Sequence, residues 1–167
     1  NELNGIALHG CGLGTKMDYV QSHLGADDAI EWFGGIMNAK HVIASVHDDD
    51  GLDWTEGFRG KIQHVVTLFT GDTASNDPRG IEADGNGQNF ELTPLANPTI
   101  YNISVLSTSI LGQDGILLRR GTAGKIFNGV VVGFGGDGLD ITDAATISRI
   151  GAGLLDFTNI VLWNNKG

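Results

Sequence analysis

Two short sequence patterns alternate along the whole chain, and this repetition limits the folds open to it more than any other feature. The first pattern occurs as MDYVQSHL (17–24), AKHVIASV (39–46), IQHVVTLF (62–69), IYNISVLS (100–107), IFNGVVVG (126–133) and, more loosely, LDFTNIVL (155–162). The second occurs as DDAIEWFGG (27–35), DDGLDWTEG (49–57), PRGIEADGNG (78–87), QDGILLRRG (113–121) and GDGLDITD (136–143). Both patterns place apolar residues at alternate positions between glycines, which predicts short β-strands. No stretch of twelve or more residues has helical periodicity.

A repeat of two short strands cannot bury its own apolar face, but stacked repeats share one continuous core. The sequence therefore predicts an all-β fold: a right-handed parallel β-helix, a single-stranded solenoid of about five to six coils that forms one domain over 1–167. The segments TGDTASNDPRG (70–80) and GNGQNFELTPLANP (85–98) are rich in Gly, Asn, Asp and Pro, so we expect loops there.

Charge and composition exclude several classes of function. The net charge is −10 and there is no basic run, so we expect no nucleic-acid partner, because phosphate neutralisation needs clustered Lys and Arg. No apolar run reaches the roughly 18 residues of a membrane span. The single cysteine, Cys11, excludes an internal disulfide and is expected to be a small buried residue. The chain opens in mid-pattern at Asn1, without Met, which we interpret as a piece of a longer exported protein.

Alignment of the second pattern predicts which side chains form the core. One apolar residue recurs in every copy, and a second follows two positions later. With strand alternation, both sets face the interior. The two predicted core rows are Ile30, Leu52, Ile81, Ile116 and Leu139, and then Trp32, Trp54, Ala83, Leu118 and Ile141.

An acidic position precedes each of these strands. The row consists of Asp28, Asp50, Arg79, Asp114 and Asp137. Asp before Gly or a small residue suits a turn, because the carboxylate can accept backbone N–H groups. The alternative is a cation such as Ca²⁺, which takes several carboxylate and carbonyl oxygens. The metal candidates are Asp28, Asp48 and Asp50, and no other cofactor is expected.

The residues between the two core rows point outward, and three successive copies carry an acid there: Glu31, Asp53 and Glu82. Carboxylates on adjacent coils lie roughly 5 Å apart, which is close to the spacing in retaining glycosidases, and neighbouring carboxylates raise one another's pKa. Three interpretations stay open: a solvated acidic stripe, carbohydrate chemistry, or cation binding.

Histidines recur in the first pattern. His41 and His64 occupy equivalent positions, and the row also contains Tyr19, Asn102, Asn128 and, by alignment of the last copy, Phe157. We expect a row of stacked side chains, since a two-His metal pair lacks an obvious third ligand. His23 and His47 are expected at surface turns.

The order of the motifs carries a resemblance. The stretch GLGTKMDYVQSHLGADDAIEWFGGIMNAKHVIASVHDDDGLDWTEGFRGKIQHVV (12–66), then RGIEADGNG (79–87), NPTIYNISVL (97–106), LLRRGTAGKIFNGVVVGF (117–134) and GLDIT (138–142) resemble bacterial secreted or outer-membrane-associated right-handed β-helix proteins of the pectate-lyase-like superfamily. This implies export to the cell surface or beyond, and it assigns no catalytic residues. HDDDGLDW (47–54) is similar to the acidic motif of polygalacturonases, with Asp49 and Asp50 in the matching places. Their Asn-Thr-Asp, Gly-His-Gly and Arg-Ile-Lys motifs are absent.

These observations favour a non-catalytic extracellular or cell-surface module for adhesion, glycan binding or scaffolding. The partner would be a polysaccharide or another cell-surface ligand, and the open ends of the solenoid could contact a flanking domain or a second molecule. The alternative is a polysaccharide-degrading hydrolase or lyase, acting through Glu31, Asp53 and Glu82 or through Asp49 and Asp50.

Overall fold

The fold is a parallel β-helix, as predicted. The structure is a computed structural model that describes residues 3–71, 77–108 and 113–167. Short strands form one parallel sheet: β1 (Ile6–His9), β3 (Ile30–Phe33), β5 (Leu52–Thr55), β7 (Ile81–Asp84), β9 (Ile116–Arg119) and β11 (Leu139–Ile141). Longer strands form the second: β2 (Lys16–His23), β4 (Asn38–Ser45), β6 (Lys61–Phe69), β8 (Thr99–Ser107), β10 (Gly124–Val132) and β12 (Leu155–Trp163).

Each coil consists of one short strand followed by one long strand. The described residues contain six such coils, and the strands in both sheets follow the order of the chain. Residues of equivalent sequence position lie directly over one another. The predicted row from Ile30 to Leu139 is in continuous register, and Ile6 of β1 extends it by one more coil.

Both tryptophans of the second predicted row lie in the core, with no exposed surface. Trp32 stacks on Phe58 at a centroid distance of 5.2 Å. The indole N–H of Trp54 donates to Thr122 Oγ1 at 3.1 Å. Neither ring is available as a platform for a sugar, so the inward assignment is confirmed.

The long strands share one residue with a left-handed backbone conformation. This row contains Tyr19, His41, His64, Asn102, Asn128 and Asn159, with φ between 52° and 59°. The rings of Tyr19 and His41 stack at 4.3 Å, and those of His41 and His64 at 5.0 Å. Asparagine amides continue the row, since Asn159 donates to Asn128 at 3.1 Å.

The stacked row is therefore confirmed, but the placement of Phe157 in it was wrong. Phe157 pairs with Ile126 and lies in an inward row, and Asn159 occupies the position predicted for it. The preceding segment contains helix α1 (Ala144–Gly151), which sequence periodicity did not indicate. Two turns of helix are too short to show a stripe over twelve residues.

The loops agree with their composition where the structure describes them. Residues 85–98 contain turns and no strand or helix. Part of the other predicted loop, residues 72–76, lies outside the described residues. Within the part of the chain that is described, no helix is long and apolar enough to cross a membrane.

Candidate functional site

An acidic cavity of about 310 Å³ lies on the outer face of the short-strand sheet. Eight carboxyl groups and two guanidinium groups line it, together with the ring of Phe33. The lining acids are Asp27, Asp28, Glu31, Asp49, Asp50, Asp53, Asp77 and Glu82, and the cations are Arg79 and Arg119. The site candidates from the sequence thus converge on one place, except for Asp48, which does not line this cavity.

Strand register brings the outward acids together. Glu31 of β3 pairs with Asp53 of β5, and Asp53 pairs with Glu82 of β7. Their neighbours along each strand point into the core, so the three carboxyl groups project from the same face.

The three acids of this row differ in exposure. Only 9% of Glu82 is exposed, whereas Glu31 and Asp53 are half-buried and line the cavity. Oδ1 of Asp53 is buried without a hydrogen-bond partner. A solvated stripe, one of the open interpretations, therefore does not describe Glu82.

The turn ladder predicted for the preceding row is confirmed by its hydrogen bonds. Asp28 Oδ1 accepts the N–H of Asp50 at 3.0 Å, and Asp50 Oδ1 accepts the N–H of Arg79 at 2.6 Å. Asp114 accepts the N–H of Asp137 in the same way at 2.7 Å. Each carboxylate therefore ties its coil to the next, and this fixes Asp28 and Asp50 at the cavity wall.

Two arginines hold Glu82. Arg79 Nη1 lies 2.7 Å from Glu82 Oε2, and Arg119 Nη2 pairs with Oε1 of the same carboxylate. Arg119 Nε also pairs with Asp84 Oδ1 at 2.8 Å, and Arg120 pairs with Asp84 Oδ2 at 2.6 Å. The sequence placed Arg79 in the turn row, but its distance to Glu82 could be known only from the folded coils.

Burial raises the pKa of several carboxyl groups in the cavity. The pKa of Asp28 rises to about 8, mainly because burial removes water from the charged form. Burial, with Glu82 and Asp28 nearby, raises the pKa of Asp50 well above its usual range. The pKa of Asp53 is raised in the same direction by burial and by the neighbouring Asp28 and Glu31. Burial also raises the pKa of Glu82, against the opposing effect of Arg119 and Arg79.

Asp53 and Glu31 therefore have different surroundings. Asp53 Oδ1 has no partner that would stabilise a negative charge. Glu31 Oε2 accepts a hydrogen bond from the side-chain amide of Asn4. Two adjacent carboxyl groups in such different surroundings, one hydrogen-bonded and one with a raised pKa and no partner at Oδ1, have the arrangement of an acid and base pair.

Three groups of carboxyl oxygens could also hold a cation. In each group, one oxygen from every residue lies within 4.8 Å of the others. The groups are Asp27, Asp28 and Asp49; Asp28, Glu31 and Asp53; and Asp50, Asp53 and Glu82. Oxygen-rich clusters of this kind suit Ca²⁺. Of the metal candidates from the sequence, Asp28 belongs to two of these groups, Asp50 belongs to the third, and Asp48 belongs to none.

His47 was expected at the surface but is 3% exposed. Its Nδ1 accepts the N–H of Gly25 at 3.2 Å, and its Nε2 lies 3.0 Å from the carbonyl oxygen of Ser22. The sequence could not show that the first and second turns close over this ring. Cys11 is half-buried and packs against the core.

Parallel coils with an acidic cavity on the short-strand sheet define a class of protein, a parallel β-helix with a cluster of carboxyl groups on one outer face. The chain matches the pectate-lyase-like beta helix domain over residues 1–166, and it belongs to that family. No curated protein and no solved structure matches it.

Proposed function

We propose that the protein binds a polysaccharide across the acidic cavity and hydrolyses it with Asp53 and Glu31. The observation that carries the proposal is the buried, unpartnered Oδ1 of Asp53. Desolvating a carboxyl group without a partner opposes folding. Strongly perturbed carboxyl groups in a surface cavity are typical of acid–base sites.

Each carboxyl group has a role that follows from its surroundings. Asp53 keeps its proton and donates it to the glycosidic oxygen as the bond breaks. Glu31, on the adjacent coil, attacks the anomeric carbon as the carboxylate, and neighbouring strands place the two groups roughly 5 Å apart. Water then attacks the anomeric carbon, and the bond between Glu31 and the sugar breaks. Asp53, now a carboxylate, takes a proton from that water and is ready for the next cycle.

Glu82 is less suited to attack the sugar, since both its oxygens are held by guanidinium groups. Its role is to keep Arg79 and Arg119 at the wall of the cavity. These cations offset part of the negative charge that would otherwise repel Glu31 and Asp53.

The family supports a polysaccharide as the substrate class, because its description compares the domain with pectate lyase. A polysaccharide ligand is consistent with a secreted or cell-surface protein in bacteria, and we propose that location. Adhesion or scaffolding without catalysis would use the same face for binding alone.

The proposal is tested by incubating the protein with a panel of polysaccharides and measuring turnover as the release of reducing ends. We expect Asp53→Asn and Glu31→Gln each to lower turnover by about 10²- to 10⁴-fold, as for loss of a general acid or base. Asp140→Asn is the matched control, because Asp140 occupies the same outward row in β11, next to Leu117. Its turnover should equal that of the wild type.

Two outcomes contradict the proposed chemistry. Full turnover by Asp53→Asn would exclude Asp53 as the acid. Binding of a polysaccharide by the wild type without turnover of any substrate would identify a glycan-binding module instead.

Cation binding is the second candidate, and the three oxygen clusters favour it. A ligand bound only by the folded state raises the melting temperature. If Ca²⁺ binds, then 1 mM CaCl₂ (about the weakest affinity of extracellular calcium sites) should raise Tm relative to EDTA. Asp53→Asn should reduce this shift, since Asp53 belongs to two of the three clusters, whereas Asp140→Asn should retain it. No shift in the wild type would exclude this candidate.

A further inference from the structure

Two buried polar atoms in neighbouring side chains have no hydrogen-bond partner among the described residues. They are Thr67 Oγ1 and Arg79 Nε. Thr67 is 2% exposed and Arg79 is 8% exposed. Both residues line a small cavity of about 10 Å³, and Arg79 separates it from the acidic cavity, which it also lines.

The hydroxyl group of Thr67 is unexpected at this position. In-register residues on the neighbouring long strands are Ala44 and Val105, which are buried and apolar. A buried hydroxyl without a partner costs about 1–3 kcal/mol, so a hydroxyl in this row implies that something satisfies it.

Two other residues at the cavity, His47 and Gly51, have their polar groups already engaged. Both ring nitrogens of His47 have partners, Gly25 and Ser22, and burial lowers the pKa of the ring, which keeps it neutral. The N–H of Gly51 donates to the carbonyl oxygen of Arg79 at 2.9 Å.

Gly51 packs tightly beside the cavity. A Cβ atom there would lie 2.9 Å from the Cβ atom of Thr67 and 2.6 Å from the carbonyl oxygen of Gly80. Any larger residue would clash with these atoms and displace the Thr67 side chain.

We propose that one water molecule is bound in this cavity, where it bridges the Thr67 hydroxyl and the Nε–H of Arg79. A volume of about 10–15 Å³ is what a single water needs, together with at least two polar partners. The cavity meets both conditions, and this inference stands independently of the proposed enzymatic activity.

The water would complete the hydrogen bonding around the guanidinium group. Arg79 Nη1 donates to Glu82 and to the carbonyl oxygen of Asp77, and Nη2 donates to the Asp77 carboxylate. With Nε held by the water, each nitrogen has a partner and the plane of the group is fixed. Thr67 is then a positioning residue for Arg79, acting from inside the core on a charge in the acidic cavity.

Crystal structures at about 1.5 Å, where ordered waters are visible, test the proposal in the wild type and three variants. The wild type should show one water within hydrogen-bond distance, about 3 Å, of both atoms. Thr67→Val should lose it, and Thr67→Ser should keep it. Thr55→Val is the control, because it removes a hydroxyl that contacts Gly85 on the other sheet and should leave the water in place.

Titration of the Glu82 side chain by ¹³C NMR provides a readout that a purely structural role would not move. In Thr67→Val the loosened guanidinium group should stabilise the Glu82 carboxylate less, which raises its pKa above that of the wild type. Thr67→Ser should restore the wild-type value.

An empty cavity in the wild-type crystal would overturn the proposal, even if Thr67→Val did not fold. A Thr67→Val protein in which the water stays, or in which the pKa of Glu82 is unchanged, would also overturn it. Neither result depends on polysaccharide turnover, so failure of the water site and failure of the proposed function are distinguishable.

Discussion

Asp53 is more deeply desolvated than a residue on an outward row would normally be. The guanidinium groups that could compensate its charge, those of Arg79 and Arg119, both pair with Glu82. The carboxyl group of Asp53 therefore gains stability by holding a proton. A residue in this state is suited to proton donation and opposes folding when it ionises.

The pH dependence of stability follows from these raised pKa values. An unfolded Asp loses its proton near pH 3.9, whereas the pKa of Asp28 in the folded protein is about 8. Between these values the folded state binds the extra proton, so the contribution of Asp28 to stability is full below about pH 4 and is lost as pH rises toward 8. A tenfold difference in proton affinity between the folded and unfolded states corresponds to about 1.4 kcal/mol. Urea unfolding from pH 4 to pH 8 should show this decline.

The Asp28→Asn variant tests whether Asp28 causes this decline in stability with rising pH. The amide can still accept the N–H of Asp50, since an Asn side chain retains the carbonyl oxygen, but it cannot ionise. The decline should therefore be smaller in this variant, with residual slope from Asp50 and Asp53, whose pKa values are raised in the same direction. A slope equal to that of the wild type would contradict the assignment to Asp28.

At this scale the sequence predicted which acids align but not how buried they are. Alignment needs only the spacing of the repeats. Burial depends on which charges cover the row, and these come from residues far apart in the chain, such as Arg119, which reaches back to Asp84 and Glu82.

The strands owe their stability to rows that extend through several coils. Leu52 lies between Ile30 and Ile81 in such a row and has no exposed surface. Leu52→Ala should lower the free energy of unfolding by about 2–5 kcal/mol, as for other buried leucines. Leu13→Ala is the matched control, since Leu13 is 66% exposed, and it should change stability by no more than about 0.5 kcal/mol. Equal values from chemical denaturation would contradict the row.

In the left-handed row of the long strands, each residue contributes both backbone strain and side-chain stacking. Two substitutions of Asn128 separate these contributions to stability. Its φ is 57°, and its amide bonds with Asn102 and Asn159. Asn128→Ala should lose both contributions, about 1–2 kcal/mol for the backbone and about 1 kcal/mol for the hydrogen bonds. Asn128→Gly accepts positive φ freely, so it should lose only the second. Thermal or urea unfolding that ranks Gly at or below Ala would contradict this division.

Register was predictable wherever the repeats follow one another closely. It failed in β12, where the alignment was two residues off and Phe157 was assigned to the wrong row. An offset of two keeps the inward and outward faces, so the alternation of apolar residues could not reveal the error. Helix α1 lies between β11 and β12 and removes the spacing that would have set the register.

For the whole molecule, the last coil exposes one inward row that the inner coils bury. Along one inward row, Ala44, Val105 and Val131 are at most 1% exposed, but Leu162, in register with Val131, is 49% exposed. Trp163 and Val161 beside it are 65% and 56% exposed. β12 is also an edge strand, whose outer backbone groups have no strand partner among the described residues.

An inner coil and the last coil should therefore respond differently to the same truncation. Leu118→Ala in β9 removes a side chain with no exposed surface and should cost about 2–5 kcal/mol. Leu162→Ala should cost about 1 kcal/mol, because half of the side chain already contacts water and transfer free energy scales with the area removed from it. Unfolding midpoints of both variants, measured at two protein concentrations, show whether Leu162 faces solvent. If Leu162→Ala proved as costly as Leu118→Ala, and its cost grew with concentration, the end of the solenoid would be covered by a second molecule rather than by solvent.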